Sequence, residues 1–259
     1  MCADWNPTLY KRFEEERTRP ARDLLASVPL TGVAHAVDLG CGPGNSTELL
    51  VQRFPGASVV GTDTSDAMLA SARERLPQCR FERSDVSTWQ PDVAPDLIFG
   101  NAVLQWVPNH EALLPRLLAS LSPGGVLALQ MPDNLQEPSH RLMREVAAQG
   151  PWSSRIGDAS RLRAPALSIT AYYDLLAHSG ASVEIWRTEY QHPLNSPAAI
   201  VEWLRATGLR PFLDPLSDEL RAAFLIEYEA RIAAAYPARS DGRSLLAFPR
   251  LFIVAQRHS

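Results

Sequence analysis

Between residues 35 and 131 short apolar runs alternate with amphipathic segments, and this rhythm restricts the fold more than any other feature. HAVDL (35–39), ASVVGTD (57–63), RFERSD (80–85), PDLIFGN (95–101) and VLALQM (126–131) read as five short strands. The stretches between them are helical: NSTELLVQRF near 45–54, SDAMLASARERL (65–76) with Ser65 or Asp66 as N-cap, and EALLPRLLASL (111–121) despite Pro115. Strands separated by helices imply a parallel sheet with right-handed crossovers.

After residue 132 the rhythm changes. SHRLMREVAAQ (139–149) is helical, and residues 150–168, rich in Pro, Gly, Ser and Arg, read as a loop or mobile lid. YYDLLAHSG (172–180) is a helix with Gly180 as C-cap, SVEIWRTEYQH (182–192) alternates like a strand, and two helices (197–208, 217–236) precede a final strand, LLAFPRLFIVAQ (245–256). The expected fold is α/β: a Rossmann-like, seven-stranded, mostly parallel sheet with the late helices as a cap. The expected divisions are an N-terminal helical lid segment (1–30), a cofactor-binding core (31–132) and the rest of the sheet with a helical substrate cap (133–259), in one structural domain. There is no internal repeat.

The first strand runs into VDLGCGPGNST (37–47), a glycine-rich turn. In an open parallel sheet, ligands sit beyond the carboxyl ends of the strands at the point where strand order reverses. The dinucleotide fingerprint G-x-G-x-x-G would need glycine at position 45, where Asn45 stands; the third glycine comes one residue early, at Gly44. Asp38 adds negative charge where a pyrophosphate would bind. Asp63 ends the second strand and can accept from both hydroxyls of a ribose. Asp85, followed by Val86, ends the third and can accept from an adenine amine. Three acids at successive strand ends point to an adenosyl ligand. They leave open which one, because nicotinamide dinucleotides and S-adenosylmethionine share the ribose acid.

Composition narrows the function classes. Net charge is −4, which favours neither nucleic acid nor an anionic membrane. Cys2, Cys41 and Cys79 are scattered, so neither a disulfide framework nor a zinc site is expected. The start MCADWNPTLYKRFEEE lacks an apolar signal core, and the expected compartment is the cytoplasm. HEALL (110–114) lacks the second histidine of a zinc motif, and no metal is expected.

DLGCGPGNST, GTDTSDAML, SDVSTW and SPGGVLALQMP resemble the motif series of class I S-adenosylmethionine-dependent methyltransferases. DWNPTLYKRF, RTRPARDLL (17–25), NAVLQWVPNH (101–110), EPSHRLMREV (137–146), EIWRTEYQH (184–192), TGLRPFL (207–213) and LLAFPRLFIVA (245–255) are similar to the trans-aconitate 2-methyltransferase family, and the likeness covers nearly the whole chain. It implies S-adenosylmethionine as cofactor. Gly40, Gly42 and Asn45 would line its methionine part, with Asp38 at the loop; Asp63 and Thr64 would meet the ribose. Met68, Asp85 and Val86 would surround the adenine, Asn101 would lie near the sulfonium, and Gln105 and Trp106 would lie between cofactor and substrate.

The resemblance also implies a tricarboxylate substrate, already ionised at neutral pH. No catalytic acid or base is then needed, and the chain's task is positioning. A trianion meeting a chain of net charge −4 requires a locally basic pocket, for which guanidinium forks are well shaped. Lys11 is the only lysine, so the candidates are mostly arginines: Arg19, Arg144, Arg187, Arg210 and Arg250, with His140 and His192. His140 and Arg144, four apart, would share a helix face. Tyr10, Tyr172, Tyr173 and Tyr190 are candidate hydroxyl donors. Methylation of another small molecule, a dinucleotide-dependent oxidoreductase and a non-catalytic cofactor-binding module are the alternatives.

Overall fold

The computed structural model describes residues 14–162, 165–205 and 207–258. The larger of two compact units comprises residues 14–132, 166–188 and 251–258 among these. Helix α1 (Glu14–Ala26) precedes β1 (His35–Leu39), α2 (Asn45–Arg53), β2 (Ser58–Asp63), α3 (Asp66–Arg75), β3 (Arg80–Arg83) and β4 (Leu97–Asn101). A 3-10 turn (Leu104–Trp106), α4 (His110–Ala119) and β5 (Val126–Pro132) follow. The unit also holds α7 (Ile169–His178), the first part of β6 (Ala181–Leu194) and the last part of β7 (Ser244–Arg257). No described helix is long and apolar enough to cross a membrane.

The seven strands are ordered β3-β2-β1-β4-β5-β7-β6. β1 pairs in parallel with β2 and with β4, so strand order reverses between β1 and β4, beside the glycine turn. β7 runs the other way. The Arg257 N–H donates to Gly125 O, and the His258 N–H to Gly180 O, which puts the end of β7 beside the starts of β5 and β6. The central strands are covered on both faces, which is why β4 and β5 read as near-continuous apolar runs. Leu39, Ile98, Leu127, Leu129 and Ile253 share one core cluster with Leu114 and Leu117 of α4. Cys41, Leu69, Ala72, Leu76 and Phe81 form another.

The N-cap of α3 is Ser65, whose Oγ accepts from the Met68 N–H at 3.2 Å. α4 does accommodate Pro115. The third strand is shorter than expected: β3 ends at Arg83, and Asp85 stands in the turn beyond it.

The smaller unit spans Asp133–Pro165 and Glu189–Arg250 among the described residues. It holds α5 (Pro138–Gln149), α6 (Ser153–Ile156), α8 (Pro197–Arg205), α9 (Arg210–Leu213) and α10 (Asp218–Ala235). Residues 150–168, expected as a loop or lid, contain α6 and a 3-10 turn at Ala159–Arg161. Trp152, the N-cap of α6, and Ile156, its last residue, are both buried. The Trp152 indole N–H donates to Val146 O at 2.7 Å, and its ring meets Phe224 edge-on at 5.2 Å. A Cβ at position 150 would lie 2.0 Å from that indole, so Gly150 is what lets Trp152 fold back onto α5. The expected helix 197–208 stops at Arg205, and α9 starts after a break that includes Gly208.

Candidate adenosyl site at the end of the first strand

All three glycines of the turn have positive φ, 67° at Gly40, 54° at Gly42 and 91° at Gly44. They answer to different needs. A Cβ on Gly40 would lie 2.4 Å from Val103 Cγ2, so the missing side chain makes room for Val103. Gly44 lies against Ala72 of α3. A Cβ on Gly42 would face open space, so this is the position where backbone is exposed to a ligand.

Asp63 organises the turn. Its Oδ2 accepts from the Gly42 N–H at 3.0 Å and its Oδ1 from the Ser65 N–H at 2.9 Å. The turn is anchored on β2 by the Cys41 N–H, which donates to Thr62 O at 2.9 Å. Thr64, next in the chain, is exposed, and its carbonyl accepts from Arg83 Nε at 3.3 Å. The three acids are not level with one another. Asp38 pairs with Gly61, two residues short of Asp63, and Asp63 pairs with Arg83, two short of Asp85.

Asp38 departs from the expectation of a charged group facing the ligand. It is fully buried and is not among the residues that line the cleft over the turn. Its Oδ2 accepts from Ser46 Oγ and Thr47 Oγ1, both at 2.7 Å, which ties the start of α2 to β1. Burial outweighs these two bonds and raises its pKa from 3.8 to about 7. The folded chain therefore keeps a proton that the unfolded chain releases near pH 4. The group's contribution to stability falls as pH rises from about 4 to about 7. Asp38→Asn keeps an acceptor for the two hydroxyls and cannot ionise. Its melting temperature relative to the native chain is expected to climb across that window, by on the order of 10 °C at pH 8. A difference that stays flat or shrinks would contradict the buried, proton-holding assignment.

Asp85 is exposed, and its Oδ1 accepts from the Ser87 N–H at 2.8 Å and Ser87 Oγ at 2.7 Å. Those bonds hold its pKa below the usual carboxylate value. Val86 and Met68 are both buried. At the end of β4, Asn101 Oδ1 accepts from Gln130 Nε2 at 2.6 Å, and Ala102, next in the chain, takes a left-handed conformation, φ 57°. Gln105 Nε2 donates back to Ala102 O at 2.6 Å. Trp106 is 38 % exposed rather than buried in the core.

The cleft is lined by Gly40, Gly42, Pro43, Asn45 and Asn101, and also by Arg17 and Thr18 of α1. Asn45 Nδ2 donates to Thr18 Oγ1 at 3.3 Å. Arg75 joins α1 to α2 and α3 by pairing with Glu14 at 2.6 Å and Glu48 at 3.1 Å. Arg17 and Thr18 are absent from the sequence-based candidates, whereas Arg19, which is one of them, is exposed. The signal was present: residues 17, 20, 21, 24 and 25 form the buried stripe of α1, and Arg17 is the charge on it. His110 and Tyr172 were likewise not foreseen as supports. His110 Nε2 faces Leu104 O at 2.9 Å and must carry the proton, and Nδ1 meets the Tyr172 hydroxyl at 2.6 Å. The pair braces the turn that carries Gln105 and Trp106. Tyr172, a candidate hydroxyl donor to substrate, is thus a core residue with no exposure. Tyr173 is exposed, and Arg187 is exposed on β6.

An adenosyl methyl donor fits this arrangement. Gly42 leaves backbone open, and Asn45 Oδ1, in the same lining, and Gln105 Oε1 are buried acceptors that no described side chain or backbone group satisfies. Such orphans call for a donor.

In the smaller unit, three cationic or protonatable groups surround one ring. The Arg250 guanidinium lies 4.9 Å from the Phe248 centroid, the His192 ring 5.9 Å and the His140 ring 6.4 Å. All three residues are buried. His192 also stacks with Tyr190 and packs 4.7 Å from Trp203. Arg144 and Arg210 are engaged locally. Arg144 donates to Leu135 O at 2.7 Å, and Arg210 lies 3.9 Å from Asp214. His140 and Arg144 are one helical turn apart, but only His140 reaches the Phe248 ring among described contacts. Tyr10 lies outside the described residues.

Comparison with known proteins adds four findings. Residues 36–125 match the methyltransferase domain family. The chain is 66% identical over 255 residues to the trans-aconitate 2-methyltransferase of Variovorax paradoxus, covering 98% of both chains. Among solved structures, the YcgJ protein of Bacillus subtilis superposes with TM-score 0.60 at 14% identity, over 93% of this chain and 99% of that one. Phosphoethanolamine N-methyltransferase 2 of Haemonchus contortus, in complex with S-adenosyl-L-methionine, gives 0.57 at 17%, over 93% of this chain and 53% of that one.

Proposed function

Because this chain belongs to the trans-aconitate 2-methyltransferase family, we propose that it transfers a methyl group from S-adenosylmethionine to a carboxylate of trans-aconitate. The products are a monomethyl ester and S-adenosylhomocysteine: one C–O bond forms and one S–C bond breaks. The observation that carries the reading is the seat beyond β1, where Asp63 holds the Gly42 N–H and the open Gly42 face lines a cleft with the buried, unsatisfied Asn45 Oδ1.

The bound donor supplies an electrophilic methyl on a sulfonium sulfur. The rest is the work of this chain's residues. Asp63 accepts from the ribose hydroxyls while fixing the turn. Asp85, with only Oδ1 engaged by the described chain, accepts from the adenine amine, and Met68 and Val86 give that end an apolar bed. Gln105, oriented by its bond to Ala102, presents Oε1 toward the reacting end, and Trp106 covers it. His140, His192 and Arg250 take the carboxylates of the substrate. Since a carboxylate is already ionised, no side chain need remove a proton, and rate comes from alignment and exclusion of water.

Calorimetry separates this reading from an oxidoreductase on a similar sheet. The chain is expected to bind S-adenosylhomocysteine and to give no binding heat with NAD⁺; the reverse pattern would overturn the methyl-donor assignment.

A further inference from the structure

We propose that Arg17 is the carboxylate anchor of the cleft, holding the α-carboxylate at the amino-acid end of the methyl donor through its guanidinium. The proposal rests on the methyl-transfer reading and adds a residue that neither the motif series nor the family likeness assigns.

The amino-acid end of such a donor is a zwitterion. The cleft offers an acceptor for its ammonium group in the buried Asn45 amide oxygen. Its carboxylate calls for donors, and several of those around the turn are committed. The Gly42 N–H goes to Asp63, Ser46 Oγ to Asp38 and Asn45 Nδ2 to Thr18. Among the described lining residues, Arg17 is the cationic side chain. Its position on the buried stripe of α1 turns it to the cleft, while Arg19, two residues on, faces solvent. The ion pairs from Arg75 to Glu14 and Glu48 fix α1 beside α2, so the guanidinium is held in place before any ligand arrives. The start of α2 reinforces it: Gly44 offers no side-chain cap, and the helix end favours an anion. A guanidinium fork matches a carboxylate in shape as well as charge.

The test compares two ligands on native chain, Arg17→Met and Arg17→Lys. S-adenosylhomocysteine carries the amino-acid end; 5′-methylthioadenosine has the same adenosine and thioether without it. Arg17→Met, which keeps a long side chain on the stripe, is expected to weaken S-adenosylhomocysteine binding roughly ten- to hundredfold by calorimetry. Binding of 5′-methylthioadenosine is expected to stay within about twofold. Arg17→Lys, which keeps the charge and loses the fork, should fall between. Equal weakening of both ligands would overturn the proposal in favour of general support of the cleft. Unchanged S-adenosylhomocysteine binding with a raised KM for trans-aconitate would overturn it in favour of substrate binding. Failure of the native chain to bind either ligand would instead remove the methyl-transfer reading itself.

Discussion

Asp63→Ala is expected to weaken S-adenosylhomocysteine binding by about two to three orders of magnitude, corresponding to about 3–4 kcal/mol. Two losses combine. The ribose hydroxyls lose a charged acceptor, and the turn loses the carboxylate that holds the Gly42 N–H at 3.0 Å and the Ser65 N–H at 2.9 Å. Each of these is a bond to an ionised group, the stronger kind. Asp63→Asn keeps one acceptor and should lose less. Calorimetric titration of both variants decides the matter; affinities within threefold of the native chain would show that Asp63 does not hold the ribose.

The second large effect falls on the substrate. Arg250→Met combined with His192→Phe is expected to raise the KM for trans-aconitate at least about a hundredfold, with S-adenosylhomocysteine affinity unchanged within about twofold. Both replacements keep a side chain of similar size against Phe248, so the packing around that ring is retained while the positive charge is removed. Arg250→Lys, which keeps charge but not the planar fork, should recover part of the loss. Initial-rate kinetics across a range of trans-aconitate concentrations reads this out. An unaltered KM would move the substrate site away from this cluster.

The strand and helix alternation from residue 35 to 131 is legible in the sequence because central parallel strands are buried on both faces and punctuated by glycine and acid. The direction of β7 is not legible that way: apolar pattern marks a strand, but only pairing partners reveal that it runs against β5 and β6. Residues 150–168 look like a loop by composition, and two apolar residues four apart, Trp152 and Ile156, are what fold the start of the segment.

The cofactor-side acids were readable by position but not by state. Asp38 sits in β1 between β2 and β4, opposite Gly61 and Phe99, and that burial makes it a proton-holding tie rather than a charge facing the ligand. Arg17 was readable as the one charge on the stripe of α1, provided the helix was placed first. Among the arginine and histidine candidates, sequence could not distinguish those engaged locally, such as Arg144, from those around Phe248, because that depends on pairing distant in the chain.

The central claim is transfer of a methyl group to a carboxylate. Incubating the chain with S-adenosylmethionine labelled on its methyl group and a panel of acids, amines and phenols tests it most directly. The expected result is a label in a base-labile methyl ester of trans-aconitate, formed one-for-one with S-adenosylhomocysteine. Label in a base-stable product from an amine or a phenol, with none in trans-aconitate, would contradict it.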